Sequence, residues 1–169
     1  MLHDWNNFFN MTGAAGGQLI GLLFVAVTLG TGLSPSQSLN GIRAFLTPAL
    51  VNFSGVLFQA VVVLAPWPSG WPIGLILILG GLAGLLYRIA GIRLQRHLGF
   101  VSLHWLDWIP YAGVPVLGNL SVIAGGAGLI AEKPFAPYAI ASASTLLLAA
   151  GIYGSWDLTL WIIKNRDKT

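Results

Sequence analysis

Residues 12–33 read TGAAGGQLIGLLFVAVTLGTGL, 22 residues in a row without an Asp, Glu, Lys, Arg or His. At 1.5 Å per residue such a run reaches about 33 Å as a helix, enough to cross a hydrocarbon core roughly 30 Å thick. Inside that core every backbone N–H and C=O has to be satisfied within the protein, which a helix does by itself. Four further stretches pass the same test: Ala44 to Pro66, Trp71 to Ile92, Trp108 to Ala131, and Pro137 to Ile163. The sequence therefore predicts an all-α integral membrane bundle of five transmembrane helices, forming one domain over 1–169.

The breaks between these runs carry turn chemistry: SPSQSLNGIR after the first, PWPSGW after the second, AEKPFAP after the fourth. The break after the third, RLQRHLGFVSLHWLD over 93–107, is long enough for structure of its own. It reads as a short amphipathic helix around 94–106 lying at the interface. Arg93, Arg96 and His97 would face water, and Leu98, Phe100, Val101 and Leu103 would face lipid.

Composition supports the lipid environment. Of 169 residues, 56% are hydrophobic and 8% charged, with a mean hydropathy of +0.78, against about 25% charged in an average soluble protein. Most of the 22 Gly lie within apolar runs, where small residues let helices approach closely, and show no collagen period. A net charge of +3, scattered along the chain, makes no nucleic-acid surface. The chain contains no Cys, which removes disulfides, thiolate metal sites and cysteine nucleophiles together. The first ten residues lack Lys and Arg, so the first apolar run reads as a retained helix rather than a signal peptide.

Basic residues orient the bundle, because Lys and Arg collect in cytoplasmic loops. With five spans, Arg43, Arg88, Arg93, Arg96, Lys164, Arg166 and Lys168 share one side, and Lys133 alone takes the other. Adding or removing a span breaks this 7 to 1 division of the 8 basic residues. The expected orientation puts the N-terminus outside and the C-terminus in the cytoplasm. Trp5, Trp67, Trp71, Trp105, Trp108 and Trp161 fall near predicted boundaries, where amphipathic rings prefer to sit, and Trp156 does not.

Close packing is expected where Gly recurs at four-residue spacing: Gly13, Gly17 and Gly21 in the first span, Gly80 and Gly84 in the third. The fourth span adds Gly118, Gly125, Gly126 and Gly128. No repeat of about 20–50 residues is visible, and an odd span count argues against two inverted halves.

Few groups carry chemistry. Asp157, in SWDLTLWIIK, lies about two turns before Lys164 at the predicted cytoplasmic end of the fifth span. Two readings stand for it: an ion or proton site near the cytoplasmic mouth, or a structural ion pair with Arg88 or Lys164. In the second span Asn52 and Gln59 are seven residues apart on one face, with Gly55 between them. Such a stripe either lines a water path or hydrogen-bonds a neighbouring helix. Gln18, Asn119, Ser121, Ser142, Ser144 and Thr145 are weaker polar points, and Pro48, Pro110 and Pro115 are read as residues near helix starts. His97, His104 and Asp107 share a face but lack a fourth ligand, so no metal site is expected. The sequence has no P-loop, nucleophile elbow, HExxH helix or potassium-channel filter, so neither catalytic residues nor cofactors are expected.

The opening WNNFFNMTGAAGGQLIGLLFVAVTL and, more loosely, the closing GIYGSWDLTLWIIK resemble a widespread group of small, functionally uncharacterised bacterial multi-pass membrane proteins. Such proteins start with a Trp and a Phe-Phe pair before a Gly/Ala-rich turn into GLLFVAV. The clear match covers about the first fifth of the chain, and Asp157 is not part of the pattern. The resemblance implies a bacterial cytoplasmic (inner) membrane location and brings no activity or site residues. Two functions then compete. One is a non-enzymatic homo-oligomeric channel or carrier for an ion or small solute, with Asn52, Gln59 and Asp157 facing the path. The other is an accessory subunit binding another membrane protein or anionic lipid. The bilayer is the expected partner in both, with self-association expected in the first.

Overall fold

A single 3-10 turn, His3–Trp5, leads into helix α1 (Asn6–Gly30), followed by α2 (Pro35–Leu64) and α3 (Gly70–His97). A π-helical turn, Ile109–Gly113, then opens α4 (Val114–Ile130), and α5 (Ala136–Arg166) ends the fold. The computed structural model describes residues 2–30, 35–97 and 109–166. All five helices contain a segment long and apolar enough to cross a membrane, with mean hydropathies between 1.4 and 2.1. No strand occurs among the described residues, so the all-α expectation holds.

Helix and span are not the same length, and two helices run on into segments that read as turn or separate helix. Helix α2 begins at Pro35, inside the segment SPSQSLNGIR that reads as a turn. Polar residues end the apolar run without breaking the helix, and Pro is accommodated at a first helical position because its missing N–H has no intrahelical acceptor there. Pro48 consequently lies well inside α2 rather than near its start, and leaves the carbonyl four residues earlier without its helical donor. Likewise, α3 runs on to His97, so residues 94–97 of the expected interfacial helix continue α3 instead of starting a new one. Residues 98–106 of that helix lie outside the described residues.

Contacts between facing residues show that the helices alternate in direction. Gly13 faces Ala60, Gly151 faces Phe53, Gly125 faces Ile140, and Gly74 faces Gly126. Spatial order differs from chain order. Helix α5 packs between α2 and α4, α3 packs on the far side of α4, and α1 packs chiefly on α2. Consecutive helices α2 and α3 touch only lightly, so α2, α5, α4 and α3 form a ring whose thinnest seam is α2 against α3. Half of the α5 span is buried, against 22% of the α1 span, which makes α5 the central post and α1 the periphery.

Two apolar clusters hold this arrangement. One, nearer the N-terminal end, gathers Phe9, Ala60, Leu77, Val122 and Ile140. The other, toward the opposite end, gathers Leu23, Ala49, Phe53 and Leu158. Lipid tails are as apolar as these side chains, so their packing contributes through dispersion and fit rather than through escape from water. The aromatic opening is part of the packing: Trp5 meets Tyr138 of α5 edge to face at 4.8 Å, and Phe9 is fully buried.

Glycine spacing is corrected as well. A Cβ on Gly13 would stand 2.6 Å from the Ala60 Cβ and one on Gly16 3.1 Å from the Phe53 carbonyl oxygen, whereas at Gly17 and Gly21 it would meet nothing within 4 Å. The close approach to α2 therefore runs through the three-residue step from Gly13 to Gly16 and not along the four-residue line. Gly80 and Gly84, by contrast, both face neighbours.

Helix ends are finished locally. Trp67 Nε1 donates to the Val62 carbonyl oxygen at 2.7 Å, capping the exit of α2. At the end of α4 the Lys133 amide donates to the Gly128 carbonyl at 2.8 Å, with Glu132 in the left-handed region at φ 52°. This is a Schellman turn with a side chain where Gly is favoured. Glu132→Gly is therefore expected to stabilise the fold by about 1 kcal/mol, read as a higher thermal midpoint in detergent. A lower midpoint would mean that the Glu132 side chain contributes more than its backbone strain costs.

Candidate functional site

The polar stripe of α2 turns inward. Asn52 and Gln59 are each 3% exposed, and Asn119 of α4 and Ser144 of α5 are buried with them. Ser144 Oγ donates to Gln59 Oε1 at 2.9 Å, tying α5 to α2. Asn119 Nδ2 donates to the Pro115 carbonyl of its own helix at 2.7 Å. Its side chain fills the space that a Cβ on Gly84 would need, so α3 is notched to receive it.

Gln59 and Asn119 border a cavity of about 40 Å³. Gly55, Phe58 and Gln59 form its α2 wall, Gly80 and Gly81 its α3 wall, and Asn119 its α4 wall, with α5 closing it through Leu147. One water needs about 10–15 Å³ and a few polar partners, so the space suits a small number of water-sized groups. Gly55, Gly80 and Gly81 contribute backbone to its wall, and a Cβ on Gly80 or Gly81 would press on Phe58 or Ile123 at 2.7 Å.

Arg88 belongs to the same face of α3. It follows Gly80 and Gly84 at four-residue steps, and its guanidinium donates to Asn52 Oδ1, one turn below Gly55 along α2. Arg88 is only 8% exposed, and its Nε has no hydrogen-bond partner. Asn52 lies six residues inside the apolar span Leu46–Leu64 and Arg88 three residues before the end of the span Gly70–Gly91, so the guanidinium sits toward one end of the spans, about 9 Å inside the start of the α2 span. A charge buried in a span is costly even short of its centre, and a single neutral amide offsets only part of that cost.

Asp157 goes elsewhere. Its Oδ2 accepts a hydrogen bond from the Tyr111 hydroxyl, and the Tyr111 ring meets Tyr153 edge to face at 5.6 Å. Thirteen residues separate it from Ser144, placing it about 20 Å farther along α5 and about 140° around it. The structure thus unites Asn52 and Gln59, places Asp157 outside their group, and gives Arg88 and Asp157 different partners. The Lys164 side chain lies outside the described residues.

The weaker polar points divide similarly. Ser142 and Thr145 bond to carbonyls of their own helix, and Gln18 faces outward. Residues that sequence reasoning undervalued are Arg88, read there as an orienting charge and a possible ion-pair partner of Asp157, and Asn119, Ser144 and Tyr111. The Gly80, Gly84, Arg88 spacing was the available signal for the first. The cross-helix partners carry no such signal.

Five alternating apolar helices around an inward-facing polar line define the chain as a polytopic helical membrane protein. Set against family models, curated proteins and solved structures, it matches none.

Proposed function

We propose that this protein is a non-enzymatic carrier or narrow channel for a small solute, working through the cavity between α2, α3, α4 and α5. The observation that carries this reading is the water-sized space that Gln59 and Asn119 border between four helices of one protomer. A purely adhesive polar contact between helices needs no space beside it. Four helices surround the cavity, so the path does not depend on an oligomer axis. The lightly packed α2 and α3 seam is the place where it opens. The resemblance of the opening sequence supports a bacterial cytoplasmic membrane, and the 7 to 1 division of basic residues supports an outside N-terminus and a cytoplasmic C-terminus.

The test is solute entry into proteoliposomes followed by stopped-flow light scattering, with urea, glycerol, and the sodium salts of chloride and formate in separate runs. At least one solute is expected to enter faster than into protein-free vesicles, and Gln59→Leu should slow it about tenfold by filling the cavity with apolar volume. Gln18→Leu, on the lipid-facing side, should leave the rate unchanged. Vesicles no more permeable than protein-free ones to any of the four would sink the transport reading and favour an accessory subunit.

A further inference from the structure

We infer that the outward face of α1 is the contact between two copies of this chain, with Gln18 of one copy hydrogen-bonded to Gln18 of the other across a two-fold axis. Gln18 lies two residues, about 3 Å, from the middle of the span His3–Leu29, and its side chain is exposed there. Among the described residues nothing in the protomer bonds to its amide. Hydroxyls at outward positions satisfy themselves on their own helix, as those of Ser142 and Thr145 do. A glutamine amide carries two N–H donors and a carbonyl acceptor, and mid-helix backbone groups already have their partners. In hydrocarbon its needs are met by another chain.

The surroundings of Gln18 suit a helix better than lipid tails. Ala14, Gly21 and Val25 lie within about 60° of it around α1, whereas Gly16, on the α2 contact, is about 160° away. A Cβ on Gly21 would meet nothing within 4 Å, so the backbone is bare beside Gln18 and open to close approach. Elsewhere the outward positions carry bulk, such as Leu79 on α3 and Leu120 on α4. With only 22% of its span buried, α1 has room for a second neighbour. Depth decides what that neighbour is. Copies inserted with one topology stand parallel, so a two-fold axis along the membrane normal brings each residue opposite its own counterpart at the same height. A primary amide both donates and accepts, which makes it complementary to itself: each Nε2 donates to the Oε1 opposite. A different protein would need a polar group at this one depth, and a second copy has it by symmetry. Each protomer keeps its own cavity, so the contact stands whether or not the protein transports a solute.

The chain contains no Cys, so single Cys residues report the contact without background. Protein labelled at Ser69→Cys with donor or acceptor dye and mixed in liposomes should show energy transfer that saturates as the protein-to-lipid ratio rises. Gln18→Leu should weaken the association about tenfold, and Gln18→Asn should keep part of it. Gly21→Val, whose side chain touches nothing in the protomer, should prevent association while the monomer stays folded. In native membranes Ala14→Cys and Val25→Cys should each give a dimer bridged by mercury(II), and Leu79→Cys should not. Energy transfer no greater than that of randomly placed monomers at every ratio would overturn the dimer, as would a Gln18→Leu protein that associates as strongly as the wild type. Bridging through Leu79→Cys in place of Ala14→Cys would overturn it by moving the contact to another face. An Ala14→Cys adduct with a different protein, and none with a second copy, would overturn it by assigning the face to an unlike partner.

Discussion

Gly126→Val is expected to destabilise the bundle by about 3 kcal/mol or more, or to prevent folding, judged by the thermal midpoint and the monodisperse yield in detergent. Helices α3 and α4 meet backbone to backbone here. A Cβ on Gly126 would stand 2.6 Å from the Gly74 carbonyl oxygen and 3.3 Å from the Ile78 amide nitrogen, and one on Gly74 would stand 2.5 Å from the Gly126 carbonyl oxygen. No rotamer change relieves a clash with a main chain, so the helices have to separate. Separation loses the dispersion contacts that hold helices together when lipid competes equally for apolar side chains. Gly17→Val and Gly21→Val are the controls, since their added side chains enter open space. If Gly126→Val and Gly17→Val unfolded at the same temperature, the α3 and α4 approach described above would be wrong.

Gly84→Ala should cost about 2 kcal/mol and abolish solute entry, for a different reason. The obstacle is the side chain of Asn119, which can move. Driven from its notch, it gives up its bond to the Pro115 carbonyl and swings into the cavity that it now borders. Adding Asn119→Ala should restore most of the midpoint, because the clash disappears with the side chain, while solute entry stays lost with the polar wall. The coupling between the two substitutions is expected to be about 1–2 kcal/mol. Strictly additive midpoints would show that Asn119 does not occupy the Gly84 notch. Gly126→Val permits no equivalent rescue, and that contrast separates backbone contacts from side-chain contacts at glycine positions of similar appearance in the sequence.

The extent to which the site was legible follows from what periodicity can express. Asn52 and Gln59 are seven residues apart, and that alone puts them on one face of α2. Whether the face looks at lipid, at a second copy or at the centre of the bundle depends on α5 lying between α2 and α4, which no local pattern encodes. Asp157 seemed to belong with them because acids in membranes are rare and costly. Its actual place was decided by rotation about α5 and by Tyr111, which arrives from a π turn about 45 residues earlier in the chain. Arg88 was read as a positive charge that orients the bundle and as a possible partner of Asp157, and its side chain turns toward Asn52.

By itself, the sequence determined that this chain is a five-helix membrane protein, because an apolar run of about 20 residues has one stable conformation in hydrocarbon and the spacing of charges counts the crossings. It also determined which residues share a face. Only the tertiary structure decided which faces meet, since helices in lipid associate through close fit at particular glycines, and fit depends on the partner surface. That fit produced the water-sized cavity, and it buried Arg88 against Asn52.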